Sequence, residues 1–288
     1  MILTIISRKA YRKKSLSYSG CYAAFFVGII VSYSNFCHLC SLLAFFYASN
    51  KATKFRQEEK KKFDSEYKQG GQRDWLQVIS NGFFATFYSI FYIIECGHGE
   101  RPIDFEHDYK SSWYSVAVLA SLSCSCGDTF SSELGTAFDH SKNKVFHILK
   151  LKRVPKGTNG GISLFGTVVS ALGGLLIGLS YYSCLKLSLW IREVFELGRF
   201  ESEMHWPILL IGLFSGLFGS LVDSLLGAYF QYSGFNSRTK KIQNEPGPNV
   251  EHISGYDLLS NNQVNFLSCL ILAIAGPFFS LKFYKIFS

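Results

Sequence analysis

Six stretches of the chain carry almost no charge, namely residues 22–48, 75–94, 113–126, 162–189, 207–230 and 264–287. Most approach the roughly 20 apolar residues that an α-helix needs to cross a hydrocarbon core. The first is longer than one crossing requires, and Ser34-Asn35 at its middle is a turn signal. It therefore reads as two short helices or a re-entrant pair, which makes about seven membrane segments in all. Helices rather than a barrel follow from the length of the runs, because in lipid each backbone amide must be paired within its own segment. The expected fold is all-α, a polytopic integral membrane helix bundle forming one domain over residues 1–288.

The polar residues between these stretches set the orientation, because loops rich in Lys and Arg stay on the cytoplasmic side. Residues 1–20 hold Arg8, Lys9, Arg12, Lys13 and Lys14, and eight more bases fall in 51–74. Residues 95–112 instead hold Glu95, Glu100, Asp104, Glu106 and Asp108 against only Arg101 and Lys110. Six bases follow in 127–161, two in 188–206 and three in 231–263. This alternation predicts a cytosolic N-terminus and cytosolic loops at 51–74, 127–161 and 231–263. The apolar run before Arg8 is too short for a cleavable signal peptide. Residues 51–68 mix Lys with Glu58, Glu59, Asp64 and Glu66, the composition of a solvated helix.

A hydrophobic share of 48% with 17% charged residues agrees with a membrane protein, and the net charge is +8. Nearly all eight cysteines lie in or beside the apolar segments, which suits small packing residues. Cys37-His38-Leu39-Cys40 has the bare spacing of half a zinc site, but no second pair follows. Gly174 with Gly178, and Gly212 with Gly216, form small-xxx-small faces that let helix backbones approach closely. The histidines are not spaced as ligands, no serine sits in a nucleophile elbow, and the bases are not interleaved with aromatics in a nucleic-acid pattern.

Five polar clusters fall at one side of this topology. Gly70-Gly71-Gln72-Arg73 precedes the third segment, and Asn81 lies about one and a half turns into it. Asp128 and Glu133 close the fourth, Gly157-Thr158-Asn159-Gly160-Gly161 opens the fifth, and Asn261, Asn262 and Asn265 open the last. Asp223 lies late in the sixth: the 16 steps from Pro207 rise about 24 Å at roughly 1.5 Å each. A carboxylate in so apolar a helix costs on the order of 3 kcal/mol to insert, so it faces a cavity or a partner helix. Asp128 and Glu133 are five apart and would not share a face of a straight helix; Gly127 could loosen that turn, or Asp128 could be a helix cap. The glycine-rich turn resembles a nest of N–H groups at a helix N-terminus, with Lys156 and Arg153 adding charge for phosphate. It lacks the Gly-Lys-Ser/Thr ending of a Walker A loop. Beside carboxylates able to hold Mg²⁺, such a turn suits phosphoryl transfer, which needs mainly positioning and charge neutralisation.

At these same residues the chain resembles the eukaryotic transmembrane-protein-nineteen family, whose characterised plant relative is the phytyl-phosphate kinase of tocopherol synthesis. The motifs that carry the resemblance are ATK (52–54), DSEYKQGGQRDW (64–75), GDTFSSELG (127–135), VPKGTNGG (154–161), GSLVDSLLGAYFQY (219–232) and NNQVN (261–265). One departure is Phe130-Ser131, where the family usually has Trp-Ala, and relatives often carry more N-terminal membrane sequence. The resemblance implies a kinase that converts a prenyl-type monophosphate (phytyl, farnesyl or geranylgeranyl) into the diphosphate with a nucleoside triphosphate, CTP in the plant case.

The site expected from residues and resemblance together has Asp128, Glu133 and Asp223 as catalytic residues and Mg²⁺ ligands. Arg73, Lys156 and Gly157 to Gly161 hold phosphates, and Gln72, Asn81, Asn261, Asn262 and Asn265 complete the polar lining. The expected location is an endomembrane, the endoplasmic reticulum foremost. A lipid-binding protein or transporter without catalysis, and a related membrane nucleotidyl transferase, are the competing readings. No inverted repeat of the kind found in many transporters is visible.

Overall fold

The structure is a computed structural model, and it describes residues 2–55, 71–137, 145–195 and 205–287. The lysine- and glutamate-rich stretch 51–68, read as a solvated helix, lies largely outside the described residues, as does Gly70. The chain is mostly helical: α1 (Ile2–Arg12), α2 (Tyr18–Ser34), α3 (Phe36–Lys54), α4 (Trp75–Cys96), α5 (Tyr109–Ala137), α6 (Leu164–Val194), α7 (Pro207–Phe230) and α8 (Asn261–Phe287). Two small antiparallel sheets depart from the all-α expectation. β1 (Phe146–His147) pairs with β2 (Gly161–Ile162), while β3 (Ser233–Asn236) lies between β4 (Lys241–Gln243) and β5 (Val250–Ser254). Short polar connections between helix ends cannot bury a helical face, so they satisfy their backbone by pairing with each other.

The helix ends are set by local chemistry. The side chains of Ser17, Asp74 and Ser163 accept from Gly20, Gln77 and Gly166 N–H, each at 3.0 Å, capping α2, α4 and α6. Pro207 starts α7, where its missing N–H costs nothing. Asn35 makes the turn in the first apolar stretch: its backbone is extended and its side chain accepts from Cys37 N–H at 2.8 Å. That stretch is therefore two packed helices, α2 and α3.

Among the described residues, the helices α2 to α8 follow the seven expected segments, but only α4, α6, α7 and α8 are long and apolar enough by themselves to cross a membrane; α2 is apolar but shorter. The physical reason is clearest in α5. It packs against α3, α4, α6, α7 and α8, so its surroundings are protein rather than lipid. It can therefore carry buried Ser111, Ser112, Ser115, Ser121, Ser123 and Ser125 where a lipid-facing helix could not. The outer helices turn Phe83, Phe87, Leu172, Trp190, Phe218 and Phe278 outward, an apolar exposure that marks a membrane-facing surface.

Close helix crossings follow the glycine faces read from the sequence. A Cβ on Gly174 would stand 2.2 Å from Gly212 O, and one on Gly216 would stand 2.6 Å from Gly174 Cα. Gly127 plays the same part between α5 and α7, where a Cβ would meet Gly216 O at 2.4 Å. It does not loosen a turn, since α5 runs unbroken to Ala137. Asp128 consequently lies inside the helix and is not a cap.

Candidate functional site

At one end of the bundle, α4, α5, α7, α8 and the connections around β2 to β5 enclose a polar cavity of about 780 Å³. It is lined by Gln72, Arg73, Asn81, Asp128, Glu133, Lys156, Gly157, Thr158, Asn159, Gly160, Gly161, Asp223, Asn261, Asn262 and Asn265, whereas Arg153, read from the sequence as adding phosphate charge beside Lys156, does not line it. Residues far apart in the chain are thus brought to one layer. The far end of the bundle holds a different chemistry, the Arg101–Asp108 ion pair at 3.0 Å and the Lys110–Glu95 pair.

Asp223 joins α7 to α8. Its Oδ2 accepts from Ser268 Oγ at 3.2 Å, and the Asn265 amide, assigned the orientation that satisfies its neighbours, donates to the same Oδ2 at 3.2 Å and to Asn261 O at 3.0 Å. The helix-to-helix bond weighed against a functional role is real, yet both bonds use one carboxylate oxygen and the residue still borders the cavity. Asp128 interacts electrostatically with both Glu133 and Asp223. Ser125 Oγ ties this part of α5 to α4 by donating to Asn81 O at 3.0 Å, and Asn81 Nδ2 bonds back to Gln77 O at 2.9 Å.

Arg73 is held by its backbone. Its N–H donates to Ser15 O at 3.1 Å and its carbonyl accepts from Ser17 N–H at 2.8 Å, while Gln72 Nε2 donates to Leu16 O at 3.1 Å. The segment before α4 is therefore clamped onto the α1–α2 connection. Burial pulls the guanidinium pKa down and the charge of Glu133 pulls it back up. The guanidinium also lies 5.9 Å from the Phe45 ring centroid.

The glycine-rich turn departs from the nest expected at a helix N-terminus. Gly161 belongs to β2, and α6 begins only at Leu164, capped by Ser163. The amides of Thr158 and Gly161 donate to Pro155 O at 3.3 Å and Thr158 O at 3.0 Å, and that of Asn159 to Ser233 Oγ at 2.9 Å. Those three N–H groups hold the loop rather than a phosphate. Asn159 Nδ2 further donates to Tyr232 O at 3.0 Å and Asn244 Oδ1 at 3.3 Å, so the turn locks the β3–β5 sheet over the cavity.

That sheet and the loop after it supply lining residues that sequence reading missed, notably Asn244, Glu245 and Asp257. They lie in ordinary polar loop sequence; the β3–β4 pairing places Asn244 and Glu245, and the return of residues 256–259 onto the end of α7 places Asp257, with Tyr256 N–H bonding Tyr229 O and Leu259 N–H bonding Phe230 O, both at 2.9 Å. Among the described residues the lining then holds five carboxylates (Asp128, Glu133, Asp223, Glu245, Asp257) against two cations (Arg73, Lys156). A polyanion entering alone would be repelled, whereas one accompanied by divalent metal would not. Among the described residues no group of three or more His, Cys, Asp or Glu is arranged to hold a metal ion. The three-carboxylate ligand set is thus not pre-assembled. This suits Mg²⁺, which binds one or two carboxylates and takes its other ligands from waters and substrate phosphates.

The fold and this cavity define an integral membrane protein with a carboxylate-rich polar chamber at one end of a helix bundle. The chain belongs to the integral membrane protein DUF92 family, whose model matches residues 1–273. It is 36% identical over 276 residues to Protein PGR of Arabidopsis thaliana, covering 94% of this chain and 91% of that protein. It is 26% identical over 279 residues to the uncharacterized membrane protein MJ0933 of Methanocaldococcus jannaschii, covering 96% and 90%. A more distant relative is Protein VTE6, chloroplastic, of Arabidopsis thaliana, 25% identical over 221 residues, 75% of this chain and 56% of that protein. No solved structure matches. None of these three names points to the endoplasmic reticulum, and the narrower transmembrane-protein-nineteen name is carried by none of them.

Proposed function

We propose that this protein is a membrane kinase that phosphorylates a prenyl-type lipid monophosphate to the diphosphate with a nucleoside triphosphate. The observation that carries the reading is the convergence of Asp128, Glu133, Asp223, Arg73 and Lys156 on one chamber at the end of an apolar bundle. The chamber suits phosphates and metal, and the bundle suits a hydrocarbon tail. The resemblance to the plant phytyl-phosphate kinase supplies the substrate class and favours CTP as donor.

In this mechanism an ionised oxygen of the lipid monophosphate attacks the γ-phosphorus in line. The bond from that phosphorus to the β-bridging oxygen breaks, and the nucleoside diphosphate leaves with the electron pair. No strong base is required, because the attacking oxygen has already lost its proton near neutral pH. Arg73 and Lys156 neutralise phosphate charge, and Asn81 and Asn262 orient phosphate oxygens by hydrogen bonding. Asp128 and Asp223 would hold Mg²⁺, which supplies charge stabilisation at the transferring phosphoryl group. Glu133, beside Asp128, completes that acidic surface.

The test uses purified protein with Mg²⁺, phytyl, farnesyl or geranylgeranyl monophosphate, and each of the four nucleoside triphosphates, with mass spectrometry of the lipid product. Diphosphate is expected, and Asp223→Asn or Asp128→Asn should reduce turnover at least about 100-fold while membrane insertion persists. A doubly substituted protein with full activity would remove the metal assignment. Folded protein that binds monophosphate yet forms no product with any donor would leave a lipid-binding protein.

A further inference from the structure

A second, apolar cleft meets the polar chamber. It lies between α1, α2, α3 and α4, and its lining includes Leu3, Ile6, Val27, Leu42 and Phe46. Arg73, Gln77 and Asn81 line this cleft as well as the chamber, so the two spaces share one polar boundary. At that boundary stands the partly buried Arg73 cation, as an anionic head attached to a hydrocarbon tail requires.

Two features shape the cleft. Gly28 on α2 and Gly82 on α4 both line it and leave it free of side chains. A Cβ on Gly28 would already stand 3.2 Å from Leu3 Cδ2, and one on Gly82 would stand 3.5 Å from Val27 Cγ1. The second is the roof. Along α1 the residues at 3, 6, 7 and 10 turn inward, while Arg8, Lys9 and Arg12 are exposed, the pattern of a helix lying in the membrane interface. Cys21 Sγ fixes it to α2 by donating to Ser7 O at 3.5 Å. The cleft is narrow, about 80 Å³, so seating a chain requires α1 to shift outward. α1 packs chiefly on α2, so such a shift leaves the contacts among α3 to α8 in place.

Resting on the kinase reading above, we infer that the α1–α4 cleft seats the hydrocarbon tail of the lipid phosphate, with its head at Arg73, Gln77 and Asn81 and α1 as the roof. Tail and head are then read by different elements. The apolar walls reward chain length, and the chamber accepts the phosphate.

The deciding experiment is photolabelling of the full chain in lipid nanodiscs with farnesyl monophosphate carrying a diazirine at the far end of its tail. Peptides containing Leu3 and Ile6, Val27, or Leu42 and Phe46 should be labelled, and excess unlabelled farnesyl monophosphate should suppress the label. Gly82→Leu should lower the specific label about tenfold, the range expected when a pocket is shortened by a side chain. Gly82→Ala, which adds only an ordinary contact, should keep most of it and control for folding. Specific labelling confined to α6, α7 or α8, or labelling that no competitor suppresses, would overturn the seat. The readout is binding, so the two readings fail separately. A protein labelled in the cleft that makes no diphosphate keeps the seat and loses the kinase; one that makes diphosphate but is labelled elsewhere keeps the kinase and loses the seat.

Discussion

Gly160 has a backbone φ of +76°, and a Cβ there would stand 2.3 Å from Ala228 Cβ on α7. The glycine is needed both for its left-handed conformation and for the close approach that brings the loop onto the helix. Gly97 at the end of α4 has a similar φ of +80° but open space around it. Gly97→Ala should therefore cost the backbone strain alone, about 1–3 kcal/mol, and Gly160→Ala distinctly more, because a clash adds to the strain. Thermal unfolding in detergent would separate the two. His205, just before α7, gives a pH prediction. Burial, with a smaller push from the charge of Lys186, lowers its pKa from the usual 6.5 to about 4. The folded state keeps it neutral while the unfolded state takes up a proton, so its contribution is complete above pH 6.5 and is lost as pH falls towards 4. The unfolding midpoint should drop more steeply between pH 6.5 and 4 in the natural protein than in His205→Asn, and equal slopes would refute this.

Among the elements, α6 and α7 cross through bare backbone at Gly174, Gly212 and Gly216. Gly216→Leu forces them apart, and because Gly127 packs on the same Gly216 backbone, α5 moves with them. A loss of about 3 kcal/mol is expected, together with loss of cavity function although Gly216 does not line the cavity. A variant with unchanged melting would contradict the packing account. The element boundaries show what periodicity can and cannot deliver. Helix α7 was legible to the residue, because apolar sequence bounded by Pro207 and Gln231 has no other reading. α5 begins earlier and ends later than its apolar core, since its polar ends are sheltered by neighbouring helices. α1 was not predicted as a helix because its apolar run is short and leads straight into Arg8, Lys9 and Arg12, a pattern that makes sense only once α2 and α3 lie beneath it.

For the whole molecule, the polar cavity and the Arg101–Asp108 pair occupy opposite ends, and the bias of Lys and Arg predicts that the cavity faces the cytosol. A cysteine-free background carrying either Glu251→Cys, exposed on β5, or His98→Cys, exposed at the far end, tests this. In sealed, right-side-out cells or oriented vesicles an impermeant maleimide should reach these two positions from opposite sides, with position 251 cytosolic. Labelling of 251 from outside and 98 from the cytosol would reverse the topology, and labelling of both from one side would refute their placement at opposite ends.

The sequence by itself determined that the protein is a helical membrane bundle and named polar residues that end up around one chamber. Both follow from a simple cost: hydrocarbon excludes unpaired polar groups, so apolar runs must be helices and the polar exceptions must find each other. Tertiary structure alone decided three further points. It showed that the glycine-rich turn spends three of its amides on the protein, since the partners Pro155, Thr158 and Ser233 are defined only by the folded loop and sheet. It added Asn244, Glu245 and Asp257 to the chamber, because loop residues carry no periodicity to reveal where they fold back. It also joined an apolar cleft to the polar chamber at Arg73, Gln77 and Asn81, a junction made by packing α1 to α4 together and present in no single stretch of chain.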